Sequence, residues 1–418
     1  MLEPVRYKYT VILLTEKNQQ YDISNYISDL SWEEPEKELA SRVSFTAKND
    51  ETSKGRLSSL AKPGRYIYLL YSYNGGKDKE AVRGRIIEWN PDAKSSSRQL
   101  KVKVYDSLYD LQESSDNLFF KSGTRTKSAI TQIFKRWKIP MGKYTGPNVK
   151  HGKQVYKNKK LGTLVLEILE EAKKKGADEA FIRAVKGKVQ VLAYGSNEDV
   201  YCFGETDNLT NASHKITTAG MVTRVKVTGE QKNNGRTPVK ATIDGKTKYG
   251  IRQKMYTRGS DESLKEAKKA AKDILHEDGK PKETVTVKTA DIPVIRKGDM
   301  VHVSMATGSG FYWVVGICHD CDSMSMEMDL KKAELKEEDG KKSSKSTKSS
   351  QHKVGDVVEF NGGKHYVSSG KGAKGYKVNA GKAKITKANK GSAHPWHLVT
   401  RNWKKSRVYG WVDDGTFK

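Results

Sequence analysis

Apolar and polar residues alternate through much of the first hundred positions. Val43, Phe45 and Ala47 are separated by Ser44 and Thr46, the period of a strand with one face packed inward. Similar β signals run over Tyr7 to Leu14, Arg65 to Tyr73, Ala81 to Trp89 and Gln99 to Tyr105, and Tyr73-Asn74-Gly75-Gly76 supplies the chemistry of a hairpin tip. One antiparallel domain over residues 1–106 is predicted, closed as a barrel or sandwich because closure removes exposed strand edges.

The period changes after Leu108. Ile130, Ile133, Phe134 and Trp137 fall on one helical face, and Leu164, Val165, Ile168, Leu169 and Ala172 on another. The second helix is expected to end at Gly176, after the lysines 173–175, whose charge suits the carbonyl end. A hairpin turned at Lys186-Gly187 follows, which makes residues 107–214 an α+β domain. Residues 215–335 return to strands, with one helix from Glu262 to His276 whose stripe of Leu264, Ala267, Ala271, Ile274 and Leu275 suits packing on a sheet. Residues 336–352 carry no hydrophobic side chain and read as a linker. Short strands between glycine-rich turns then predict a small separate barrel over residues 353–418. The whole is mainly β with an α+β component.

At 418 residues the chain is long enough for several domains. No apolar run approaches the roughly 20 residues that span a bilayer, so no membrane anchor is expected. The N-terminus lacks the pattern of a secretory signal, which predicts a protein made in the cytoplasm. With 77 Lys and Arg against 50 Asp and Glu, the formal charge is +27, which favours polyanionic partners and also keeps a particle soluble. Three cysteines, Cys202, Cys318 and Cys321, give no disulfide framework.

Catalytic constellations are missing from the sequence: there is no nucleophile elbow, phosphate-binding loop or zinc-protease helix. Glu33-Glu34 and Glu170-Glu171 are neighbours in the chain, which does not set two carboxyls across a cleft. No enzyme activity, catalytic residue, cofactor or metal is therefore expected. Cys318-His319-Asp320-Cys321 has zinc-like spacing but lacks a second ligand pair, and core thiols at a strand end are the simpler reading. His394 and His397 flank Trp396 and are expected at the rim of the small barrel. The candidate contact surface for a polyanion or cell-wall polymer is Lys371, Lys374, Tyr376, Lys377, Lys382, Lys384, Lys387 and Lys390, with Trp396 and Trp403 as aromatic platforms if they are exposed.

Order along the chain adds a resemblance. Gly84-Arg85-Ile86-Ile87 precedes Val104-Tyr105-Asp106-Ser107-Leu108, then Phe119-Phe120, the Thr-led helix to Trp137, Ile139-Pro140 and the helix from Thr163 to Lys175. The strand Met221 to Val227, Lys248-Tyr249-Gly250, the helix Glu262 to His276, Lys297-Gly298-Asp299-Met300-Val301 and Met326 to Leu330 complete the series. In this succession residues 1 to about 335 resemble the tail-hub family of PBSX-type defective phages and contractile phage tails, the XkdQ/YqbQ-like proteins.

The resemblance implies two tube-type β-barrels, residues 1–106 and 215–335, flanking the α+β domain. It implies a homotrimer whose six barrels match a hexameric tail tube above and a trimeric spike below. Implied partners are the tail tube protein, the spike protein, other baseplate proteins and, as a further candidate, the tape-measure protein, within a phage or phage-tail-like particle. His394 to Leu398 and Tyr409 to Asp413 are similar to bacterial SH3-like modules, which implies either cell-wall contact or docking to another baseplate protein. Two other functional classes stay open at this point: a cell-wall-binding hydrolase component and a basic nucleic-acid-binding protein.

Overall fold

The computed structural model describes residues 7–418 apart from 17–18, 93–97, 198, 206–207, 230–236, 260–261, 334–351, 367–368, 374 and 403–404. The chain is mainly β and divides into two compact units, one made of residues 1–211 with 287–418 and the other of Ala212–Thr286. The expected linker lies outside the described residues, except for His352.

In the first unit, alternation in the sequence becomes a packed antiparallel sheet. Val43, Phe45 and Ala47 of the strand Arg42–Lys48 pair with Val104, Val102 and Leu100 of Gln99–Tyr105, and all six side chains are buried. Trp32, Ile67, Leu69 and Ile86 fill the same core. The hairpin tip has Asn74 and Gly75 both at positive φ, 47° and 71°, the conformation that a tight hairpin turn demands. Gly84 is needed for a different reason. A Cβ there would lie 2.2 Å from the carbonyl oxygen of Tyr105, where the strand Lys79–Pro91 crosses the end of its neighbour.

The outer edge of this sheet is not left open. Strand Ile27–Glu34 pairs on one side with Arg42–Lys48 and on the other with Gly308–Asp320, in the register Ile317↔Glu34 to Asp320↔Ser31. The N-terminal β group and the later one are thereby parts of one 13-stranded sheet. The later group comprises Lys282–Ala290, Met300–Met305, Gly308–Asp320 and Ser325–Lys332, joined by Tyr201–Gly204 and Leu209–Thr217 from before residue 218.

The middle region is α+β. Helices Thr126–Arg136 and Leu161–Lys174 bury the expected stripes, and Gly176, at φ 87°, follows the second helix with its N–H on the carbonyl of Lys173. The hairpin Ala180–Val185 and Lys188–Ala193 turns at Lys186 and Gly187, both at positive φ. The strand Met141–Tyr144 adds to it in parallel.

In the second unit the helix packs on a sheet, as its stripe predicts. Helix Leu264–Glu277 opens with a capping box of Ser263 and Glu266. It packs on a three-stranded sheet of its own, ordered Val239–Asp244, Arg224–Thr228, Gln253–Thr257, with Ala267 and Ala271 buried against Val225 and Val227. Ile274 and Leu275 are partly buried against the same core, whereas Leu264, at the helix start, remains exposed.

Residues 353–418 form a six-stranded sheet around Phe360, Ile385, Trp396, Leu398 and Val412, and a bridge between Phe360 and Phe417 joins the C-terminal segment to the first of its strands. Gly84→Ala is expected to lower unfolding stability by about 2 kcal/mol or more, because the added methyl meets backbone rather than a side chain that can turn away. Thermal unfolding checks this, and a melting temperature equal to that of the unmodified protein would refute the close approach.

Candidate functional site

A buried polar cluster lies inside the first unit, where three segments distant in sequence converge. Glu34, at the end of its strand, is buried; it accepts from the Arg296 guanidinium at 2.6 and 3.2 Å and from the Lys297 backbone N–H at 2.9 Å. The Lys297 ammonium donates to the carbonyls of Pro35, Glu36 and Glu38 at 2.5, 3.1 and 2.9 Å. Asp299 accepts from Arg183 of the middle region at 3.1 Å and from the Arg296 N–H at 3.0 Å. Between them Gly298, at φ 93°, sits under the Phe181 ring, where a Cβ would approach ring carbon to 2.0 Å. The run Lys297-Gly298-Asp299 therefore has three separate physical jobs: capping a bend, admitting a ring, and receiving an arginine.

Asp106 completes the cluster from the other side. Its carboxylate accepts the N–H groups of Ser41 and Leu108 at 3.0 and 2.9 Å, which fixes the turn after Tyr105. Burial pushes this carboxyl up to about 6, against those hydrogen bonds. Burial also acts on Glu34 in the upward direction, but Arg296, Arg183 and the Lys297 N–H outweigh it and hold Glu34 at about 2.

A second buried group links the two β groups. The Tyr9 hydroxyl donates to Asp291 at 2.5 Å, His319 Nδ1 lies 2.6 Å from the other oxygen of Asp291, and the His319 ring stacks on Trp32 at 3.9 Å. The His319 ring is fully buried, and its Nε2 has no hydrogen-bond partner among the described residues. Cys321 lies in the core, where burial pushes its thiol far up, and Cys318 on the neighbouring strand is pushed up to about 11 by burial and by nearby Glu33 and Glu327. Among the described residues no three His, Cys, Asp or Glu side chains converge as metal ligands. The adjacent carboxylates are also divided: Glu33 pairs with Arg42, Glu34 with Arg296, and Glu171 with Lys175 and His151.

Of the candidate contact residues, Lys374 and Trp403 lie outside the described residues. Tyr376, 47% exposed, and Lys377 lie on the strand Gly375–Val378. Lys382 and Lys384 project from Gly381–Ala388, opposite Glu359 and Val357, while Lys371, Lys387 and Lys390 are also exposed. Trp396 is core, with its indole N–H on Asp414 at 2.8 Å, so it offers no platform to a ligand. Sequence reasoning missed Lys364. It stands directly opposite Lys377 across a hairpin, and both are exposed, an unfavourable pairing of like charges in a sheet. Only the cross-strand register brings the two together. His394 stacks on Tyr366 and contacts Asp413 through Nδ1.

A family model described as YQBQ-like matches residues 30–332. The "Uncharacterized protein YqbQ" of Bacillus subtilis (strain 168) is 22% identical over 255 residues, covering 59% of this chain and 76% of that protein. Two solved structures share the fold. The tail protein from Neisseria meningitidis MC58 superposes with a TM-score of 0.55 at 14% identity, over 78% of this chain and 97% of that one. The 43 kDa tail protein of prophage MuSo2 from Shewanella oneidensis gives 0.57 at 10% identity, over 78% and 98% of the two chains.

Replacing Glu34 isolates the ionic cluster, because it leaves Arg296 and Lys297 buried without their carboxylate. Glu34→Gln is expected to cost about 3 to 5 kcal/mol at pH 7. Glu34 is depressed in the fold, so its contribution is present above the ordinary value of 4.5 and is lost as pH falls from there towards about 2. The gap between the two proteins in urea unfolding should therefore narrow at pH 3; an equal gap at pH 7 and pH 3 would mean that charge is not its source.

Proposed function

The chain belongs to the YQBQ-like family, and on that footing we propose that it is a structural protein of a contractile phage tail or phage-tail-like particle: a trimeric baseplate hub that joins a hexameric tail tube to a trimeric spike. The observation that carries this reading is the pairing of Ile27–Glu34 with Gly308–Asp320, which makes one sheet of two β groups. A subunit that lends two tube-type barrels to a sixfold collar, expected over about residues 1–106 and 215–335, must hold them at fixed spacing; of the second span, residues 287–332 belong to the unit that shares this sheet, while Ala212–Thr286 is compact by itself. A shared strand edge reinforced by a buried ion cluster does so more stiffly than a linker. The middle α+β region, residues 107–214, then stands outside the ring. Its place is the virion baseplate, beside the tube, spike and other baseplate proteins, with the tape-measure protein as a further neighbour.

Charge bears on the assembly. Three copies carry +81, which acidic neighbours, bound ions or interface burial must offset. Sedimentation and native mass measurement of the purified chain, alone and with its spike, are expected to give three copies; a stable monomer that joins neither spike nor tube would reject the hub.

The terminal region, residues 353–418, is in this reading an SH3-like module that contacts an anionic wall polymer. It holds 14 Lys and Arg against 4 Asp and Glu, and the opposition of Lys364 and Lys377 is relieved when an anion lies between them. Replacing Lys364, Lys377, Lys382 and Lys384 by alanine should weaken binding to wall teichoic acid and flatten its dependence on salt, by about 0.7 to 0.9 in logarithmic slope for each phosphate that is no longer neutralised. Retention with an unchanged slope would place the binding surface elsewhere.

A further inference from the structure

Three histidines from separate strands meet where the terminal barrel rests on the hairpin of Met300–Met305 and Gly308–Asp320. His302, on the hairpin, is 8% exposed and stacks on Tyr409 of the barrel, with ring centroids 3.7 Å apart and planes 25° from parallel. Phe311, opposite His302 in the register, stands edge-on to Tyr409 at 5.8 Å. From the barrel side His397 lies edge-on to Tyr409 at 5.3 Å, and His365 accepts the Tyr409 backbone N–H at Nδ1, 2.9 Å away. That last hydrogen bond requires an unprotonated Nδ1.

Among the described residues nothing acidic partners these rings. His302 Nε2 faces the Ser309 hydroxyl at 3.2 Å, and His397 Nδ1 faces that of Thr386 at 2.6 Å. The other titratable groups packed here are the Cys202 thiol, which bonds with Tyr409, and Lys387, which faces Cys202 and His397. Tyr376 lies 6.1 Å from His365, and at the margin Arg401 of the barrel faces Asp199 at 3.8 Å. A proton added to any of the three rings is thus buried among neutral or cationic groups.

We propose that this cluster is an acid-opened latch: at neutral pH it holds the terminal barrel on the hairpin, and proton uptake by the histidines releases the barrel and uncovers Tyr409. Burial, with His397 and His365 nearby, holds His302 down at about 3; burial holds His365 at about 4; and burial with Lys387 and His365 holds His397 at about 4. His302 is depressed and its ring crosses the contact, so its contribution to docking is complete above the ordinary value of 6.5 and is lost as pH falls below it. For His302, the ring that only docking buries against the barrel, the docking constant should fall about twentyfold between pH 7 and pH 5.

Small-angle scattering of the full chain from pH 7.5 to pH 4.5, with near-ultraviolet circular dichroism to follow packing of the aromatics, tests the latch. The unmodified chain should expand on the acid side of pH 6 while its domains stay folded. His302→Phe keeps a stacking ring that cannot titrate and should move the expansion to lower pH; Phe311→Ala weakens the stack without changing titration and should move it to higher pH. No expansion down to pH 4.5, or expansion of His302→Phe at the same or a higher pH than the unmodified chain, would overturn the proposal.

Discussion

One buried carboxylate organises the first unit. Glu34 ends a strand of the N-terminal β group and takes the charge and backbone of Arg296 and Lys297, which lie immediately before a strand of the later group. A carboxylate removed from water needs full compensation, and here two side-chain N–H groups, a backbone N–H and a serine hydroxyl provide it. Lys297 in turn fixes the bend after Glu34 through three carbonyls. Since the same segment carries Asp299 to Arg183, the positions of the two β groups and the middle region are set by one bend, residues 296–299. Main-chain pairing and ion pairing are thus not separate devices, because each supplies the geometry that the other requires.

Much of the fold was legible. Alternation gave the strand Arg42–Lys48 nearly to its ends, and helical spacing gave the buried faces of Thr126–Arg136 and Leu161–Lys174. These signals are local, since a side chain's burial repeats with the period of its own element. The union of the β groups was not legible, because strand edges pair through backbone groups that every residue carries. The helix Leu264–Glu277, its packing on a sheet and the strand Met221 to Val227 were legible, but not that this sheet is separate from the later β group, since Ala267 and Ala271 do not specify which surface they touch.

The site was read less well than the fold, for a related reason. Lysine spacing identified an exposed basic region but could not supply Lys364, whose relation to Lys377 arises across a hairpin. Trp396 was a candidate platform in sequence, yet its indole N–H has a partner within the terminal region and its rings fill the core. Family resemblance rested on short motifs, and the structure gives several of them a cause. Gly84 yields to the Tyr105 carbonyl, Asp106 caps the following turn, and Gly298 admits Phe181.

The shared strand edge also has a consequence for synthesis. Tyr9 and Asp291, which meet in the core, are 282 residues apart, and the strand that covers Ile27–Glu34 comes later still. At ordinary translation speeds the first β group therefore waits on the order of tens of seconds on the ribosome with a hydrogen-bonding edge uncovered. Nascent chains emerging side by side on one messenger would find one another's edges before their own, so crowded polysomes are where this protein is most exposed to mispairing, and where a chaperone has most to protect.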